Sequence, residues 1–173
     1  MLTKSYYLIT NFFIKKGILK LITYYIIAGI IILIDQFTKY LTINTINLGE
    51  IINVVPGFLS FTYIQNTGAA WSILEGQMIF FYIITIIVVG LLLYFLHNDA
   101  KGAPLLSTAI AFMIGGAIGN FIDRIVFKYV IDMIRLEFIS FPIFNVADMA
   151  LTVGVILLII GVIFEEYILK KEG

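Results

Sequence analysis

Four stretches of this chain are each apolar enough, over roughly 20 residues, to cross the hydrocarbon core of a bilayer as a helix: about Leu21 to Leu41, Gln77 to Leu96, Pro104 to Ile125 and Ala147 to Ile168. Backbone polar groups inside lipid must be satisfied within their own segment, so spans of this length leave a helical bundle as the fold. Composition agrees: 61% of the 173 residues are hydrophobic and 13% are charged, against about 25% charged in a soluble domain. The expected fold class is membrane all-α, with four transmembrane helices and a small extracytoplasmic β-sheet. One membrane domain, residues 21–169, follows an amino-terminal extension, 1–20, and precedes a short tail, 170–173. Asp35 and Lys39 interrupt the far end of the first span, and the fourth carries Asp148 at its start and Glu165-Glu166 near its end.

Basic residues flank the spans unevenly. Lys4, Lys15, Lys16, Lys20, Lys101, Lys170 and Lys171 fall on one side, and Lys39, Arg124, Lys128 and Arg135 on the other. The positive-inside rule then puts both termini in the cytoplasm. The first 20 residues lack the small-residue cleavage site of a secretory leader. They read either as an amphipathic helix on the inner leaflet or as a solvated tail.

With that orientation the sizeable loops, about Thr42 to Gly76 and Val126 to Val146, lie outside, and His97 to Ala103 is a short cytoplasmic link. In the first outer loop, Ile51 to Val55 and Phe58 to Ile64 are β-branched and aromatic runs around Pro56-Gly57, a pair suited to a type II turn. A β-hairpin over about 48–65 is predicted. In the second loop, an extended Val130 to Phe138 puts Val130, Asp132, Ile134, Leu136 and Phe138 on one face, with Arg135 and Glu137 on the wetter one. Asp132 is then the lone charge on an apolar face.

Much chemistry is excluded. Zero cysteines remove disulfides, thiol nucleophiles and Cys-ligated metals. The single histidine, His97, reads as a solvated residue of the cytoplasmic link, which argues against Ser-His and His-zinc mechanisms. No metal or cofactor is expected. Net charge is zero and no basic run is interleaved with aromatics, so nucleic acid is not an expected partner. A Ser-Lys arrangement is compatible with Ser60, Ser72, Ser140, Lys39 and Lys128, all on the outer side, although no spacing singles out a pair.

Carboxylates remain, and Asp132 and Asp148 are the best placed, each at the edge of a hydrophobic segment. Desolvation and a neighbouring carboxylate both raise a carboxyl pKa, so such a pair can hold one proton and act as acid and base at neutral pH. Each also has a plainer structural role open to it. Asn145 can cap the fourth helix with Asp148 merely in its first turn, and Asp132 can pair with Arg124 or Arg135. Asp123 is read as an ion-pair partner, and Asp35 and Lys39, one helical turn apart, as a local pair worth a few tenths of a kcal/mol if exposed. Gly115 and Gly119 form a Gly-x-x-x-Gly pattern that brings membrane helices close. Asn120 is costly in lipid unless paired. Asn66-Thr67-Gly68 reads as a turn and Trp71 as an interfacial anchor.

Taken together, Asp35-Gln-Phe-Thr-Lys39, Asn66-Thr-Gly-Ala-Ala-Trp71, Gly115-Gly-Ala-Ile-Gly-Asn120 with Asp123-Arg124, Val130-Ile-Asp132 and Phe144-Asn-Val-Ala-Asp148 resemble lipoprotein signal peptidase, the bacterial type II signal peptidase. Each motif alone is weak, but here they stand in order from the first span to the start of the fourth. The resemblance implies an aspartyl peptidase of the bacterial inner membrane. Its substrate is a diacylglyceryl-prolipoprotein, cut immediately before the lipid-bearing cysteine, and its inhibitors are globomycin-like cyclic peptides. Asp132 and Asp148 match the family's catalytic pair. Asp35, Lys39, Asn66, Gly116, Asn120, Asp123, Arg124 and Asn145 match positions that support the active site or bind substrate. Met133 departs from the family's usual phenylalanine, which touches the packing beside Asp132.

Two other classes compete on the residues alone. Acidic groups in a membrane also mark ion paths, which gives a small proton-coupled transporter, although four spans without a visible repeat are few for one. A membrane assembly protein using its outer loops to bind a partner is the other. A presenilin-like protease is disfavoured because its Gly-x-Gly-Asp element is absent.

Overall fold

The computed structural model describes residues 2–69, 73–98 and 103–172, with side chains between 19 and 164 in those stretches. Its elements are α1 (Leu2–Thr45), β1 (Ile51–Val55), β2 (Leu59–Asn66), α2 (Met78–Asn98), α3 (Pro104–Phe127), β3 (Val130–Leu136) and α4 (Val146–Glu172). All four helices contain a segment long and apolar enough to cross a membrane. Each boundary falls within a few residues of expectation except the first. The amino-terminal extension is not a separate element, because α1 runs unbroken from Leu2 into the first span.

The helices differ in how much of themselves they bury. Half of the most apolar window of α3 is buried, against 11% for that of α2. The most hydrophobic helix therefore faces lipid, and the central one carries glycines and polar groups. α3 packs most extensively on α4 and then on α1 and α2. A Cβ on Gly115 would stand 2.9 Å from Ile31 Cβ. One on Gly116 would strike the Ala147 carbonyl and Leu151, and one on Gly119 would lie 2.6 Å from Asp35 Oδ2 and 3.2 Å from Ala147 Cβ. The missing side chains are what let α1 and α4 approach α3, as small residues do between membrane helices. The ends are defined locally: Pro104 opens α3, where a missing N–H costs nothing, and Lys128 closes it at φ 66° with its N–H on the Arg124 carbonyl.

The outer segments form a three-stranded antiparallel sheet in the order β1-β2-β3. Gly57 sits at φ +73° and the Phe58 N–H reaches the Val55 carbonyl at 2.9 Å, the geometry of the type II turn that Pro56-Gly57 predicts. Along β3, Asp132, Ile134 and Leu136 alternate to one face. Phe61 lies opposite Ile134, and Ile64 opposite Asp132. Asp132 is buried as the dry face predicts, and the alternation fails on the other face, at Ile131 and Met133. Val130 through Met133 are all buried, because Ile131 and Met133 on the second face pack with Ile46 and Tyr63. Phe138 lies beyond the strand and stacks on Phe58, with ring centroids 4.8 Å apart.

Candidate active site

Asp132 and Asp148 arrive from different elements. Asp132 lies in β3, which hydrogen-bonds to β2, and Asp148 lies in the first turn of α4. That turn is closed from both sides. The Asp148 N–H donates to Asn145 Oδ1 at 2.9 Å, and the Asn145 N–H donates to Asp148 Oδ2 at 3.1 Å. This is a reciprocal capping box with amide and carboxylate in the usual hydroxyl and glutamate places. The next free N–H of the helix, that of Ala147, is taken by Asp35 Oδ1 at 2.8 Å from α1. The capping role expected of Asn145 is thus present, and it coexists with a second one. Asn145 Nδ2 donates to Asp132 Oδ1 at 2.7 Å and to Asn120 Oδ1 at 3.0 Å.

The remaining carboxylate oxygens are also matched to amide nitrogen. Asn66 Nδ2 donates to Asp132 Oδ2 at 2.9 Å, and Asn120 Nδ2 donates to Asp148 Oδ1 at 2.7 Å. Asn66-Thr67-Gly68 is indeed a turn, with the Gly68 N–H on Asn66 Oδ1 at 2.9 Å. Both carboxylates, with Asn66, Asn120 and Arg124, line a cavity of about 540 Å³ whose other walls include Phe141, Phe144, Met149 and Val153. Asp132 is 2% exposed. Burial first, and then the charge of Asp148, push its carboxyl up to about 7 against the opposing pull of Asn66, Asn145 and Lys39.

Beneath the pair lies a buried ionic cluster. Lys39 Nζ bonds Asp35 Oδ2 at 2.9 Å and Asp123 Oδ2 at 2.8 Å, with side chains at most 2% exposed, and donates to Asn120 Oδ1 at 3.0 Å. Asp123 pairs with a cation as expected, but the Asp35–Lys39 pair is no exposed surface bridge. It is one edge of a desolvated triad. Gln36, which sequence reasoning passed over, joins it by donating to Asp123 Oδ1 at 2.9 Å and to the Gly119 carbonyl at 3.1 Å. The signal was a glutamine between Asp35 and Lys39 in an otherwise apolar helix.

Geometry also decides what the remaining charged and polar side chains do. Neither Arg124 nor Arg135 bonds Asp132: Arg135 meets Glu137 at 3.3 Å, and Arg124 Nη2 donates to the Gly68 carbonyl at 3.2 Å. Arg124 also sits 4.5 Å over the Phe81 ring, and its Nε is buried without a hydrogen-bond partner among the described residues. Lys39 is saturated by the triad and Asn120, and Ser60 donates to Asn53 Oδ1 at 2.9 Å, which leaves that serine and that lysine no mutual contact to support a Ser-Lys mechanism. His97 is not in a loop. It closes α2, with Nδ1 on the Leu93 carbonyl at 2.8 Å and Nε2 3.2 Å from the Tyr25 hydroxyl. Among the described residues no three His, Asp or Glu side chains converge as a metal-binding group. Trp71 lies outside the described residues.

Residues 27–164 match the family model described as signal peptidase (SPase) II. A lipoprotein signal peptidase from Enterococcus faecalis is 50% identical over 88% of this chain and 94% of its own length. One from Listeria monocytogenes serotype 4a is 49% identical over 83% and 94%. Two solved structures of a bacterial membrane enzyme, determined in meso, superpose with TM-scores of 0.79 and 0.76 at 44% and 45% identity. They cover 83% and 81% of this chain, and 89% and 92% of theirs. The four-helix bundle with its small sheet is therefore shared, and the chain belongs to the signal peptidase II family.

Proposed function

We propose that this protein is the endopeptidase that removes signal peptides from diacylglyceryl-prolipoproteins, with Asp132 and Asp148 as its catalytic pair. The observation that carries the reading is the meeting of these two carboxylates on one largely apolar cavity, each held by N–H donors. Asp148, with two donors and the positive end of α4 behind it, is the ionised base. It draws a proton from water as the oxygen attacks the scissile carbonyl. Asp132, whose carboxyl holds its proton toward neutral pH, donates a hydrogen bond to the developing oxyanion. Collapse of the tetrahedral species breaks the C–N bond, and the proton held on Asp148 passes to the leaving amine. Protons strictly belong to the coupled pair.

Arg124 is assigned to the substrate backbone, because it lines the cavity beside the two carboxylates. Exposed Met149 and Val153 on α4 border the same cavity and continue onto the apolar outer surface of the helix. The substrate's diacylglyceryl group can stay in the bilayer while its peptide reaches the carboxylates. Globomycin-like cyclic peptides would occupy the same cavity. The uneven flanking of the spans by basic residues supports cytoplasmic termini and an active site near the outer surface of the bacterial inner membrane.

The test is a gel-shift cleavage assay on a diacylglyceryl-modified prolipoprotein, with purified wild type, Asp132→Asn and Asp148→Asn, each checked for folding. Both variants are expected to lose about 10² to 10⁴ of the rate or more. Full activity in either removes that residue from catalysis. No cleavage by folded wild type defeats the assignment.

A further inference from the structure

Among the described residues three side-chain amides touch the two carboxylates, and every one presents nitrogen. For two of them a backbone donor fixes that polarity: the Gly68 N–H holds Asn66 Oδ1, and the Asp148 N–H holds Asn145 Oδ1, each at 2.9 Å. Neither amide can turn over without setting NH₂ against N–H. Among the described residues Asn120 has no such backbone anchor. Its Oδ1 takes Lys39 Nζ and Asn145 Nδ2, each at 3.0 Å, and this leaves Nδ2 to face Asp148 Oδ1 at 2.7 Å. An ammonium has three donors and no acceptor, and those of Lys39 are used on Asp35, Asp123 and Asn120.

We infer that Lys39 is a positioning residue for the hydrolysis: it fixes the polarity of the Asn120 amide and so determines that Asp148 meets an N–H and stays ionised. The inference rests on reading Asp148 as the base. Remove the ammonium, and Asn145 Nδ2 alone holds Asn120 Oδ1, against Asp35 Oδ2 and Asp123 Oδ2, which have lost their cation and draw the Asn120 NH₂ toward themselves. The overturned amide sets Oδ1 against Asp148 Oδ1, a contact that only a protonated carboxyl accepts. The charged groups around the pair are Asp35 and Lys39 from α1 and Asp123 and Arg124 from α3, with Asp132 and Asp148 facing each other from β3 and α4. Of these, Lys39 alone is bonded to both the ionic triad and an amide of the site.

The experiment is the pH dependence of kcat/KM for the full chain in detergent on a lipidated prolipoprotein, comparing wild type, Lys39→Met, Asn120→Ala and the double variant. The acid limb reports ionisation of the base. It is expected to move to higher pH by about one unit in each single variant, the worth of one charge-assisted hydrogen bond, and no further in the double variant than in Asn120→Ala. A Lys39→Met enzyme slowed equally at every pH, or shifts that add in the double variant, would overturn the inference. If Lys39→Met does not fold, Asn120→Asp keeps an oxygen toward Lys39 and puts a second toward Asp148. An unmoved acid limb there is equally fatal. Asp132→Asn and Asp148→Asn test the catalytic pair separately, so failure of the one reading is distinguishable from failure of the other.

Discussion

Replacing Asp132 by Asn should change how the stability of the fold depends on pH. Asp132 is 2% exposed and its carboxyl is raised from an ordinary 3.8 to about 7, by burial first and by Asp148 second. Between those values the folded protein keeps a proton on Asp132 that the unfolded chain has released. Because the folded state then binds more protons, stability falls as pH rises from about 4 to about 7, and is lowest above. A gap of about 3 units, at about 1.4 kcal/mol each, comes to about 4 kcal/mol. Asn at this position has no such titration. It does set an NH₂ toward Asn66 Nδ2 or Asn145 Nδ2, but that cost does not vary with pH, so the comparison lies in the slopes. Unfolding followed by circular dichroism in one detergent, from pH 4 to 8, should show wild type losing about 4 kcal/mol relative to Asp132→Asn across the interval. Parallel curves for the two proteins would refute the argument that Asp132 is protonated in the folded state near neutrality.

Two further outcomes follow from the packing. Gly119→Ala places a Cβ 2.6 Å from Asp35 Oδ2 and should cost about 1–3 kcal/mol. Gly29→Ala, with nothing within 4 Å of its Cβ, should leave the thermal midpoint nearly unchanged, and equal midpoints for the two variants would contradict the close approach of α1 and α3. Asp123→Ala takes one partner from Lys39 and the acceptor of the Ile131 N–H at 3.0 Å. A loss of about 3–5 kcal/mol is expected, and chemical denaturation showing less than about 1 kcal/mol would mean that the cluster is wetter than its burial implies.

The chain's spans, the Pro56-Gly57 turn and the order of its motifs were legible in the sequence because each is a local property. Twenty apolar residues cannot leave lipid, φ > 0 after proline selects glycine, and a cap acts across three residues. The same locality made Asn145 readable as a cap and Gly115 and Gly119 as packing positions. What local pattern could not give was partnership. Asp35 and Lys39 read alone were a weak surface pair, and only the packing of α3 against α1 brought Asp123 and Asn120 to them and removed the water. Arg124 was as open a partner for Asp132 in the sequence as Arg135, and only the packing around the end of α3 turns it to the Gly68 carbonyl, while Arg135 meets Glu137 on the face that strand alternation had already given it. Whether a strand is wet on one side depends on what lies behind it, and Ile46, just beyond the end of α1, packs on the second face of β3. The sequence by itself determined which segments enter the membrane and which residues are too costly there to be idle. Tertiary structure decided which of those residues meet, because desolvation and hydrogen bonding act between elements whose separation along the chain carries no local signature.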